Sequence, residues 1–209
     1  MVTTIVVGVL EANCHIVWDD ETLDAIIIDP GDDGAKIASY MDKYGIKPRM
    51  IINTHFHFDH TGANKYLKEK YAIPICIGKA DAPFLPKAYL HAQQFMIRSQ
   101  PSPPADRLLF DGECLQVGSI DFVVLETPGH SPGSICLYDS KRKILFSGDT
   151  LFYESVGRWD LPGGDELQLR RSLQRLARLP EETLVYTGHG IETTIKHEKT
   201  NNPFLTGEL

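Results

Sequence analysis

The stretch "NTHFHFDHTG", Asn53 to Gly62, places His55, His57, Asp59 and His60 within six residues. A polar turn can absorb one such histidine among ordinary hydrogen bonds. Three imidazoles and a carboxylate at one point of the chain are instead the donor types that coordinate a metal ion. If a strand ends in this stretch, the two-residue period sends His55 and His57 the same way. Asp59 and His60 then open the following helix, where an isolated Asp would read as an N-cap. Beside His60 it reads as a ligand. The stretch therefore offers two donor sets, a His-x-His pair and an Asp-His pair.

Further donors stand at later strand ends, each in a glycine-containing turn: His130 in "TPGHSPGS", Asp149 in "FSGDTL" and His189 in "TGHGIE". Glycine permits the tight backbone that lets side chains converge, and functional groups tend to sit on loops held by a rigid scaffold. Five of the eight histidines fall at such positions. His15, His91 and His197 belong to no motif and are expected to be structural or exposed.

The elements that must position these groups alternate along the chain. "TTIVVGV", "NCHIVWD" and "DAIIIDPG" read as strands. "DDGAKIASYMDKYGI" is a helix with Ile37, Tyr40, Met41 and Tyr44 on one face. "PRMIINTH" is a strand delivering the histidine cluster at its end, followed by a helix over "GANKYLKEKY" and a strand at "IPICIG". Residues 79–106 form a partly helical excursion ending in a proline-rich turn that cannot lie in a sheet, a candidate partial lid. The second half restarts with strands at "ECLQVG", "IDFVVLETPG", "SICLYD" and "KILFSGD". A loop, a helix carrying Leu167, Leu169, Leu173, Leu176 and Leu179, the strand "TLVYTGHG" and a short closing helix complete it. Two strand-rich halves, each bringing helices, predict an α+β fold: an αββα four-layer sandwich of two mixed sheets packed face to face with helices outside.

Composition narrows the function classes. The net charge is −7, which disfavours nucleic acid, whose binding depends on Lys and Arg neutralising phosphates. Lys141-Arg142-Lys143 reads as a hairpin turn. The four cysteines, Cys14, Cys76, Cys114 and Cys136, are widely spaced with no CxxC pair, so a disulfide framework is not expected. No apolar run reaches a membrane span and no basic leader precedes the first strand, so the expectation is a cytoplasmic protein without membrane contact. The sequence fixes no oligomeric state.

The string T-H-x-H-x-D-H, then G-H, G-D and G-H, resembles the metallo-β-lactamase superfamily and spans Asn53 to Gly190; "IDPG", with Asp29 to Gly31, fits as well. By that resemblance one metal is held by His55, His57 and His130, a second by Asp59, His60 and His189, and Asp149 bridges the two. All seven family positions are filled. Asp149 excludes the zinc β-lactamases that place Cys there, and His57 separates the chain from diiron flavoproteins that carry Glu. From Thr127 to Leu205 the chain resembles the short glyoxalase-II-like hydrolases, implying a single domain over 1–209 with no C-terminal helical domain. Full-length glyoxalase II follows its last ligand with Glu-Tyr-Thr, the tyrosine touching glutathione; here Gly190-Ile191-Glu192 stands instead.

The resemblance implies two divalent metal ions, Zn first with Fe or Mn as alternatives, since these donors suit all three. Such a pair shares a water, makes it hydroxide near neutral pH and directs it at a carbonyl. The expected partner is a small-molecule thioester, S-lactoylglutathione or another hydroxyacyl thiol ester. Asp59 takes a dual role, as ligand and as the catalytic group that orients the hydroxide or accepts its proton. Asp29 is expected to orient a ligand imidazole. Arg158 is a candidate for a substrate carboxylate, and Trp159 for a substrate wall or core. Two alternatives use the same centre. One is a persulfide dioxygenase with a single iron on His55, His130 and Asp149; the other is a lactonase. A nuclease is disfavoured by the acidic balance, and a non-catalytic module would be expected to show a broken ligand set.

Overall fold

The β-branched runs pair into two sheets in the computed structural model, which describes residues 1–207. The first sheet runs in chain order: β1 (Val2–Val7), β2 (Ala12–Trp18), β3 (Asp24–Ile28), β4 (Lys47–Asn53), β5 (Ile75–Gly78) and β6 (Arg107–Leu109). β1 to β3 are antiparallel and joined by turns, whereas β3 to β6 are parallel. Parallel pairs need crossovers. α1 (Gly34–Tyr44) supplies the first; α2 (Phe58–Thr61) and α3 (Asn64–Tyr71) supply the second. Residues 79–106 make the third, through a short 3₁₀ turn at Leu85–Lys87 and α4 (Ala88–Gln94).

The second sheet is a meander of β7 (Cys114–Val117), β8 (Ile120–Glu126), β9 (Ile135–Asp139) and β10 (Ile144–Gly148). After β10 the chain makes a small hairpin, β11 (Leu151–Phe152) with β12 (Ser155–Val156). It then passes through α5 (Glu166–Leu176) to β13 (Leu184–Thr187), parallel to β10, and β14 (Thr193–Thr194) closes the edge. α6 (Ile195–Asn201) and α7 (Pro203–Thr206) follow. The Lys141-Arg142-Lys143 turn joins β9 to β10, with Asp139 Oδ1 accepting the backbone N–H of Lys141 and Arg142.

Three apolar clusters separate the four layers, and β3 shows how the sequence builds them. Its continuous "AIII" is buried on both faces, as expected for a strand in the middle of a covered sheet. Ala25 and Ile27 pack with Ile37 and Met41 of α1. Ile26 and Ile28 face the other sheet and meet Phe122, Val124, Leu137 and Phe146. Beyond the second sheet, Leu125, Leu145 and Val185 pack against Leu169, Leu173 and Leu176 of α5. The αββα sandwich follows from the period-two alternation of these strands.

Some predicted faces are corrected. Tyr44 and Leu167 are exposed, so the buried stripe of α5 is Leu169, Ser172, Leu173 and Leu176, an i, i+3, i+4, i+7 pattern. Ser172 is admitted to this stripe because its hydroxyl donates to the Pro128 carbonyl at 2.7 Å. β6 and the β11–β12 hairpin are too short to show a period in sequence. No helix among the described residues is long and apolar enough to cross a membrane.

Candidate metal centre

The fold collects the predicted donors at one edge of the sandwich. Asp29 follows β3, and His55, Asp59 and His60 follow β4, with His57 as the N-cap residue of α2. His130 lies between β8 and β9, Asp149 follows β10, and His189 follows β13. Ligand atoms of His55, His57 and His130 lie within 4.8 Å of one another, and so do those of Asp59, His60 and His189. Asp149 stands between the two groups: Oδ1 is 3.4 Å from His60 Nε2, and Oδ2 is 3.6 Å from His130 Nε2 and 3.7 Å from His189 Nε2. Gly157 lets the β12 loop close over this point, since a Cβ there would lie 1.8 Å from the Asp149 carbonyl oxygen.

The outer partners of the rings assign their tautomers. Asp29, buried behind the site, accepts the Thr54 backbone N–H at 2.7 Å and the Thr54 hydroxyl at 2.6 Å. With that hydroxyl proton committed, Thr54 Oγ1 accepts from His55 Nδ1 at 3.0 Å. His60 Nδ1 donates to Asp29 at 3.2 Å, His130 Nδ1 to the Arg158 carbonyl at 2.7 Å, and His189 Nδ1 to the Leu10 carbonyl at 3.1 Å. A neutral imidazole carries one N–H, so in their neutral forms His55, His60, His130 and His189 each turn an Nε2 lone pair to the interior. His60 Nε2 and His189 Nε2 stand 3.2 Å apart, and His130 Nε2 is 2.9 Å from His57 Nδ1. The His57–His130 contact is met when one ring donates to the other, and the His60–His189 contact is one that a shared proton or a metal cation relieves. His55 Nε2 and Asp149 Oδ1 are buried with no hydrogen-bond partner. Orphaned acceptors, converging ring nitrogens and outer bonds that fix four of the rings fit metal coordination.

The electrostatics divide the site. Burial, then the neighbouring imidazoles, holds His55 and His57 well below the ordinary histidine range. Burial opposes a charge on His60 too, but the carboxylates of Asp149, Asp59 and Asp29 outweigh it and push this ring up to about 10. His189 is also raised: burial acts against it, and its contact with Asp59 and the charge of Asp149 prevail. Asp59 is held low, burial being overcome by His60, His189 and His57. This half of the site calls for a positive charge.

A pocket of about 400 Å³ opens onto the donors, with Asp59, His57, His130, Asp149 and His189 along its floor. Arg158 lies at its rim, but its guanidinium forks onto Asp160 at 2.7 and 2.8 Å. Trp159 turns towards the third core cluster, edge-on to Phe204 at 5.6 Å, and is not among the lining residues. His15 is structural, hydrogen-bonded to Thr4 Oγ1 and the Thr187 carbonyl; His197 pairs with Glu154 at the surface. His91, expected to be structural or exposed, lines the pocket, 5.5 Å from the Phe56 ring. α4 packs on α2, so part of the 79–106 excursion forms one pocket wall. Asp81, three residues beyond β5, was also missed. Burial pushes its carboxyl up to about 6, against hydrogen bonds from Ser131, Gly133 and Phe56 that lower it. Its position just past a strand end is the signal it shares with the other donors.

Comparison with known proteins places this arrangement. A sequence profile of the metallo-beta-lactamase superfamily matches residues 7–189. A probable metallo-hydrolase, YqgX, of Bacillus subtilis is 40% identical over 96% of this chain and 95% of its own length. The hydroxyacylglutathione hydrolase GloC of Haemophilus influenzae is 34% identical over 97% of this chain and 96% of its own. Among solved structures, the BLEG-1 B3 metallo-beta-lactamase superposes with a TM-score of 0.93 at 38% identity, covering 99% of this chain and all of its own. TTHA1623 in a di-iron-bound form superposes at 0.90 with 39% identity, covering 97% of this chain and 100% of its own.

Proposed function

The chain belongs to the metallo-beta-lactamase superfamily, and from that premise we propose that it is a binuclear-metal hydrolase of acyl thioesters, glyoxalase-II-like in its chemistry. One geometric fact carries the reading: two ligand triads, His55/His57/His130 and Asp59/His60/His189, flank a shared Asp149 at the floor of a pocket. Two divalent ions held there, Zn as the working assignment and Fe or Mn as alternatives, would supply an acidified water and an electrophile for the carbonyl oxygen. In the reaction water's oxygen ends on the acyl carbon, the carbon–sulfur bond breaks, and the thiol leaves with a proton.

The chain's own groups prepare this step. Asp29, directly on His60 and through Thr54 on His55, fixes two rings with their Nε2 atoms inward. The Arg158 and Leu10 carbonyls do the same for His130 and His189. Asp59, held ionised and 3.3 Å from His189 Nε2, reaches the pocket floor as an acceptor that can orient the attacking water and take up its proton. Leu10, Phe58 and Phe152 exclude bulk water around these dipoles, which strengthens each interaction.

The test is turnover by metal-loaded protein on a panel of S-lactoylglutathione, a neutral acyl thioester, a lactone and a β-lactam. Thioester hydrolysis that disappears in Asp59→Ala and His189→Ala is expected. Turnover of the lactone or β-lactam alone would replace the substrate class. Oxygen consumption on a persulfide by protein holding a single iron would replace the reaction.

A further inference from the structure

The thioesterase reading, on which this inference rests, leaves the arms of the substrate open, and the pocket walls speak to them. Above the floor the pocket is lined by Leu10, Phe58, Phe95, Phe152, Leu161 and Pro162. Arg158 is the one Lys or Arg among the described lining residues, and the Nε and Nη2 edge of its guanidinium already holds both oxygens of Asp160. Such an exposed pair adds little stability. Asp160 is nevertheless tethered two residues away, at a high effective concentration, so an incoming carboxylate must compete with it for the bidentate edge of an already neutralised cation. A carboxylate on an arm held against these walls, away from the floor, would lose water where the one wall cation is already neutralised, which is costly. We propose that the pocket selects thioesters whose arms are apolar and uncharged, in preference to the glutathione arm with its two carboxylates, and that Asp160 sets this preference by occupying Arg158.

The experiment compares S-lactoylglutathione with S-benzyl thiolactate, which keeps the acyl group and replaces the thiol by a neutral apolar one. For the metal-loaded protein, kcat/KM is expected to favour S-benzyl thiolactate by about 10-fold or more. Asp160→Ala should move the ratio towards S-lactoylglutathione by about 3–5-fold, the span of an exposed ion pair. S-Hexylglutathione, which is not hydrolysed, should bind Asp160→Ala more tightly than the parent by calorimetry. A preference for S-lactoylglutathione, or a ratio and an affinity unchanged by Asp160→Ala, overturns this inference and leaves the thioesterase reading intact. Failure to hydrolyse either ester overturns both.

A second, independent observation concerns Asp81. Its side chain is fully buried; Oδ2 accepts the Phe56 backbone N–H at 3.0 Å and the Ser131 hydroxyl at 2.6 Å, and Oδ1 accepts the Gly133 N–H at 2.6 Å. Phe56 lies between His55 and His57, and Ser131 follows His130. One carboxylate thus ties together the two loops that carry the first triad. The approach is close: a Cβ on Gly133 would lie 2.3 Å from the Asp81 nitrogen. We infer that Asp81 is a positioning residue for the His55/His57/His130 set. Zn²⁺ titration against a competing chelator, in a His189→Ala background that retains this set, reads the effect. Asp81→Ala is expected to weaken the remaining ion by about 10–100-fold, with far-UV circular dichroism unchanged. Asp81→Asn, which keeps an acceptor for Gly133, should recover part, and Ser131→Ala should give a smaller loss. Unchanged affinity in Asp81→Ala and Ser131→Ala overturns the inference. So does a fall in the unfolding temperature of the metal-free protein with Zn²⁺ affinity retained in Ser131→Ala.

Discussion

The two triads lie side by side, yet they are made by different physics. His55, His57 and His130 are all buried, and burial with mutual repulsion keeps His55 and His57 uncharged. The Asp59/His60/His189 set is more open, the His189 side chain being 27% exposed, and it is governed by carboxylates that draw positive charge onto His60 and His189. The first is a cage of neutral nitrogens fixed by packing; the second is an electrostatic trap. Asp149 reaches both. The difference teaches that two adjoining donor sets can pair a rigid half with an attracting half, and that the carboxylate between them, Asp149, is where the two would depend on each other.

The largest expected effect breaks that dependence. Asp149→Asn should lower the metal content of both sets and reduce kcat/KM by roughly 10³-fold or more, about 4 kcal/mol of transition-state stabilisation. Elemental analysis together with steady-state kinetics checks it; loss confined to one set would show the two to be independent.

The next separates burial from coordination. His15 is as buried as the first triad, but both its nitrogens are hydrogen-bonded. Burial pushes it down to about 4 from 6.5, so between those values the unfolded chain binds more protons and stability falls as pH falls, by up to about 3 kcal/mol. This contribution is fully present above pH 6.5. Urea unfolding should therefore show the advantage of the parent over His15→Gln shrinking by about that amount from pH 7 to pH 4. A constant difference would contradict the sign.

A smaller effect sharpens the comparison from behind. Asp29 bonds His60 directly and His55 only through Thr54. Asp29→Asn should therefore weaken metal binding by about 10–100-fold, more in the Asp59/His60/His189 set than in the other; chelator competition measures this. The smallest effect is expected at His91, which lines the pocket without belonging to either triad. His91→Gln should leave metal content intact and shift KM by a few-fold, about 1 kcal/mol or less.

The donors were legible because each stands at a strand end beside turn residues, and strand ends can be read from local periodicity. The αββα layering was legible for the same reason, since the runs that make β3 and β8 alternate between two cores. What escaped depends on distant chain. His91 reaches the pocket because α4 packs on α2, and no local pattern announces that contact. Asp81 acts on residues 25 and 50 positions away, Phe56 and Ser131. Leu167 has the right residue type for the buried stripe of α5 but the wrong angular position, and Ser172 took the place through one hydrogen bond. Arg158 lines the pocket, while the partner that occupies it, Asp160, becomes visible only with side-chain geometry.

The central claim is that two ions share this floor. Elemental mass spectrometry on freshly purified protein, with His189→Ala beside it, tests that most directly. The account predicts about two metal ions per chain in the parent and about one in the variant, held by His55, His57 and His130. One ion per chain in the parent, unchanged by His189→Ala, would contradict it.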